Sequence, residues 1–78
     1  MIANTTEQWL ETLAGSNTST EEDSRMMGRL LRELGFPRAT VVWGVVYLKG
    51  SGRPDSIQAM ARHLSEAIKQ ERIRVEGV

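Results

Sequence analysis

Residues 19–50 read STEEDSRMMGRLLRELGFPRATVVWGVVYLKG, and the fold turns on this stretch. Its first half has the pattern of a helix with two opposed faces. Ser19 with Glu22, or Thr20 with Asp23, is spaced so that a hydroxyl and a carboxylate satisfy orphan N–H groups of a first turn. Glu21, Glu22 and Asp23 suit the positive end of the helix dipole. Met26, Met27, Leu30, Leu31 and Leu34 follow as one apolar stripe at helical period. At about 100° per residue, that stripe centres almost opposite Arg25, Arg29 and Arg32. Gly35 stops the helix, Phe36 is placed to fold back onto Leu31 as a Schellman closure prefers, and Pro37 forbids continuation.

The second half, Ala39 to Lys49, is dense in β-branched and aromatic residues and reads as β structure. Two versions fit. Trp43-Gly44 is the turn of a tight hairpin, although a type I′ turn needs positive φ at both central residues and tryptophan suits that poorly. Alternatively, the run is one long strand with a bulge at Gly44.

Upstream, Thr5 to Leu13 predicts a short helix, with Thr5 and Gln8 spaced as a capping box and Trp9, Leu10 and Leu13 as its apolar stripe. Gly15 ends it, and Ser16-Asn17-Thr18 forms a loop. Downstream, Gly50-Ser51-Gly52 is a loop. Pro54 and Asp55 open a third helix, capped by Asp55 with Gln58, whose buried face is Ile57, Met60, Ala61, Leu64 and Ile68. Arg72 to Glu76 alternates, with Ile73 and Val75 on one side, and reads as a short last strand. The expected fold is a small α+β, winged-helix-like domain spanning residues 1–78, in the order α-α-β(β)-α-β.

Composition narrows the function. With 78 residues and no cysteine, the chain has neither disulfides nor thiolate zinc ligands, so apolar packing or a partner must stabilise it. No run reaches the roughly 18 apolar residues that cross a membrane, and Met1 to Gln8 lacks the basic region of a signal peptide. A cytoplasmic protein is the default expectation. His63 is the single histidine, with no nucleophile motif around it, and the glycines match no phosphate-binding fingerprint. Glu21-Glu22-Asp23 occupies consecutive helical positions that do not converge on a metal. No catalytic residue, metal ligand or cofactor is therefore expected.

Charge is distributed unevenly. Residues 1–23 hold five acids and no base, residues 24–54 six bases and one acid, and residues 55–78 four of each. The three segments thus carry −5, +5 and 0 within a chain of zero net charge. Arg25, Arg29 and Arg32 share one helical face, and Arg38 and Lys49 would flank a hairpin base, with Arg53 just beyond. Guanidinium forks suit phosphates and guanine edges, so these six residues are the candidate nucleic-acid contacts. An ordinary solvated face, braced by a Glu21–Arg25 pair, is the competing reading. Trp9, Trp43 and Tyr47 read as core anchors, with base stacking as the other use of such rings.

The run Ser24 to Arg38 also resembles a segment near the C-terminus of virulence-associated E and phage primase-helicase proteins. There, a helix of the form R-x-x-G-R-x-L-R-x-L-G-[FW] leads into a wing-like hairpin. The likeness covers about residues 20–48 and departs at Trp43-Gly44, where the family uses glycine-rich or Asn-Gly-like turns, and in the helix and strand expected beyond. It implies a winged-helix-type module of a phage or mobile element, with Arg25, Arg29, Arg32 and Arg38 contacting DNA. The alternative is a phage-encoded inhibitor or adaptor that meets a protein partner. A homodimer is a third option, since the apolar β run offers an edge for self-association.

Overall fold

The computed structural model describes residues 5–49 and 53–75. Three helices pack around a small antiparallel sheet: α1 (Thr5–Ala14), α2 (Glu21–Glu33), β1 (Thr40–Val42), β2 (Val45–Tyr47), β3 (Asp55–Ser56) and α3 (Ile57–Lys69). The α+β class is as the sequence predicts, and the order α-α-β-β-β-α is compatible with a winged-helix-like arrangement. The predicted cap of α1 involves the Thr5 side chain, which lies outside the described residues, as does the Gly50-Ser51-Gly52 loop.

Helix α2 begins and ends as its sequence dictates. Of the two possible caps, Thr20 with Asp23 is used. The Thr20 hydroxyl accepts from the Asp23 N–H at 3.0 Å, and the Asp23 carboxylate accepts from the Thr20 N–H at 2.9 Å. At the other end, the Phe36 N–H donates to the Leu31 carbonyl (3.0 Å) and the Gly35 N–H to that of Arg32 (3.2 Å), the two bonds of a Schellman closure. Gly35 sits at φ +110°, where a side chain would be strained. Phe36 remains about half exposed, so its fold-back is partial.

Residues 39–49 form a hairpin. Thr40 pairs with Tyr47, Val41 with Val46 and Val42 with Val45, leaving Trp43 and Gly44 as a two-residue turn. Their φ values of 56° and 73° are both positive, as a type I′ turn requires. The objection to tryptophan there is met at a cost in backbone strain, because the register that buries Val46 leaves only these two residues to turn the chain.

Two expectations are corrected. The third helix opens at Ile57, not at Asp55, and Ser56 caps it, its hydroxyl accepting from the Ala59 N–H at 3.0 Å. Asp55 is instead drawn into the sheet opposite Val46, which makes β2 the central strand. The last strand predicted at Arg72 to Glu76 is absent over its described residues 72–75. Helix α3 closes with Glu71 at φ 59° and the Arg72 N–H on the Ala67 carbonyl (2.8 Å). That turn brings Ile73 and Val75 against the core, and neither lies in a strand.

The core joins Leu10 and Leu13 of α1, Met27, Leu30 and Leu31 of α2, Ala39, Val46, and Ile57, Met60, Ala61 and Leu64 of α3. Helix α1 packs chiefly on α3, and a Lys69–Glu11 ion pair at 3.3 Å spans their exposed edge. Among the described residues, no helix is long and apolar enough to cross a membrane.

Candidate nucleic-acid interface

Helix α2 places Arg25, Arg29 and Arg32 in solvent, opposite the buried Met27, Leu30 and Leu31, as the two stripes require. Their surroundings differ. Arg25 lies 3.7 Å from Glu21, one turn earlier, with both side chains largely exposed. Such a pair contributes only about 0.2–0.5 kcal/mol, so it yields readily to a phosphate. Arg29 leans the other way, lining a recess with Trp9, Met26, Leu30, Glu33 and Val75.

Arg32 reaches toward the sheet, where a guanidinium N–H donates to the Ala39 carbonyl at 3.4 Å, a long and weak bond. Gly28 makes room for this. A Cβ there would stand 3.2 Å from Nη1 of Arg32. Gly28 is itself buried beneath Arg32.

Arg38 and Lys49 are exposed and line one recess with Gly35, Phe36, Pro37 and Ala39. They therefore share the base of the hairpin, at the end where α2 runs out. Arg53 lies elsewhere, in a separate recess with Val46, Leu48, Asp55 and Met60. Five of the six predicted residues thus belong to α2 and the adjoining hairpin base, and the sixth is set beside β3.

The acidic first turn of α2 is partly committed to structure. Asp23 accepts from the Trp9 indole N–H at 2.9 Å on one oxygen and from the Thr20 N–H at 2.9 Å on the other. The Trp9 bond, then the Thr20 backbone bond, holds its carboxyl below the usual aspartate range. This link ties α1 to the start of α2. The cap spacing points to half of it, but nothing in the sequence pairs Asp23 with a residue fourteen positions earlier. Among the described residues, no three His, Cys, Asp or Glu side chains are grouped to hold a metal ion.

Two of the three aromatic residues read as core anchors are placed differently. Trp9 is half-buried against the core, but Tyr47 is about half exposed and Trp43 is 95% exposed, so neither of these is a core anchor. The signal that locates Trp43 is symmetry. Paired valines on either side of Trp43-Gly44 mark two short strands and the turn between them.

Comparisons of the chain with family models, with curated proteins and with solved structures give no significant match.

Proposed function

We propose that the chain binds nucleic acid, most readily DNA, through the arginine face of α2 and the base of the hairpin that follows it. The observation that carries this reading is the tight hairpin directly after α2, with Arg25, Arg29 and Arg32 exposed along the helix and Arg38 with Lys49 at the hairpin base. Winged-helix readers use a helix and a neighbouring wing in this way. The resemblance to virulence-associated E and phage primase-helicase segments supports the same residues and suggests an accessory or regulatory role in a phage or mobile element.

The charge pattern favours contact with the phosphate backbone over base reading. Recognition helices usually enter the major groove by their N-terminal residues, and here that end carries Glu21 and Glu22. Binding should therefore be sequence-tolerant and strongly salt-dependent. Three to five neutralised phosphates give a slope of log K against log[salt] of about −3 to −4.5.

A fluorescence-anisotropy titration over a range of salt concentrations tests this. Arg25→Ala, Arg29→Ala and Arg32→Ala together should flatten the slope by roughly three without loss of helical circular dichroism. No binding to duplex or single strand at low salt, or an unchanged slope in the triple variant, refutes the proposal.

A protein partner is the second reading, favoured by the partly exposed Val42 and Tyr47 and the exposed Trp43 on one hairpin. A stoichiometric partner that survives nuclease treatment in a pull-down would select it.

A further inference from the structure

Trp43 combines two unfavourable features at one position. Its side chain is 95% exposed, and its backbone is held at φ 56°, where an L-residue with a Cβ is strained. Packing offsets neither. The turn beneath it is nonetheless tied to the start of α3 by a hydrogen bond and closely approached by Ser19. The Ile57 N–H, at the buried start of α3, donates to the Gly44 carbonyl at 2.8 Å. The Ser19 hydroxyl lies 3.1 Å from where a Cβ on Gly44 would stand. The result is a fully presented aromatic ring on a rigid mount, at the tip of the hairpin whose base carries Arg38 and Lys49.

We propose that Trp43 stacks on a nucleobase, and that the chain binds best where a base is already out of the duplex stack: a single strand or a junction of single and double strands. This rests on the nucleic-acid reading above and extends it to a residue outside the basic set. The preference follows from a comparison of magnitudes. One base–aromatic stack strengthens binding by roughly 5- to 150-fold. Unstacking an intact step costs as much or more, so a single ring does not open a closed duplex but takes a base that is already free. Every base has a π face, so the contact tolerates any sequence, like the phosphate contacts.

The surroundings favour a base over an apolar protein pocket. The groove beside Trp43 includes Ser19, Thr20, Glu21 and Ser24 as well as Val41 and Val42, so the ring does not stand in a wholly apolar patch. Glu21 is the one acid in that groove, and its 3.7 Å pairing with Arg25 is given up when Arg25 takes a phosphate.

The test measures wild type, Trp43→Asn and Trp43→Phe against three labelled oligonucleotides: a blunt duplex, the same duplex with an unpaired tail, and the single strand. Asparagine suits the turn, so a loss in that variant is not a loss of fold, which circular dichroism verifies. Wild type should prefer the tailed duplex to the blunt one by at least about fivefold. Trp43→Asn should bring that ratio close to one, and Trp43→Phe should retain most of it. Indole fluorescence should be quenched by the tailed duplex in wild type, whereas the Trp9 emission left in Trp43→Asn should not respond.

An equal ratio in wild type and Trp43→Asn, with binding to duplex intact, overturns the stacking role alone. Failure of wild type to bind any of the three overturns it together with the nucleic-acid reading. Loss of a captured protein in Trp43→Asn, with nucleic-acid affinities unchanged, also overturns it and assigns the ring to a protein pocket.

Discussion

Trp43→Asn should also stabilise the fold. A residue with a Cβ in the left-handed region is strained by about 1–2 kcal/mol, and Trp43 sits there at φ 56°. Asparagine relieves much of that strain, because its short amide tolerates the conformation. Removing the indole costs little, since only about a twentieth of its surface is covered. At ~25 cal/mol per Å² on a side chain of about 200 Å², the lost burial is about 0.3 kcal/mol. The net expectation is a gain of about 0.5–1 kcal/mol, or a rise in Tm of about 2–8 °C in a domain of this size. Urea unfolding followed by circular dichroism reads this without depending on the fluorophore that has been removed. Trp43→Ala is the control. It loses the same ring but keeps the Cβ and the strain, and should stay within about 0.5 kcal/mol of wild type. An asparagine variant no more stable than the alanine variant would show that the turn is not strained. A loss of more than about 1 kcal/mol in both would show that the ring packs against the protein.

Gly44→Ala should destabilise by about 1–3 kcal/mol, because Gly44 is at φ +73° and the added methyl would stand 3.1 Å from the Ser19 hydroxyl; chemical denaturation measures it. Asp23 has a folded pKa below its unfolded value, so its contribution is present above the unfolded carboxylate pKa of about 3.9 and lost as pH falls through the lower folded value. The stability gap between wild type and Asp23→Asn should therefore narrow as pH falls below about 4; a gap independent of pH would refute the assignment. Ser56→Ala should cost about 1 kcal/mol by uncapping α3, whereas Asp55→Ala, at the cap expected from sequence, should stay within about 0.5 kcal/mol; the reverse order in urea midpoints would restore the sequence-based cap. Glu71→Gly should stabilise by about 0.5–1 kcal/mol, since Glu71 closes α3 at φ 59° without glycine's freedom; an unchanged Tm counts against that closure.

The two faces of α2, its cap and its Gly35-Phe36 closure are decided by residues within a few positions of one another, so the sequence alone determines them. The exposure of Arg25, Arg29 and Arg32 follows for the same reason: a helix that buries Met27, Leu30 and Leu31 must turn those three outward. Tertiary structure decides what depends on distant partners. Asp55 joins the sheet because Val46 offers a backbone edge nine residues away, and this moves the cap of α3 to Ser56. Asp23 holds Trp9 because α1 and α2 share one core, which brings the Trp9 indole to the cap of α2. Arg38 and Lys49 meet because Val41 and Val46 must face the core together, which fixes the register of the hairpin between them. The same register forces Trp43 into a turn that its own conformational preference resists and leaves its ring in solvent. Local chemistry thus sets the basic helix, and the long-range demand to bury one face of a short sheet sets what stands beside it.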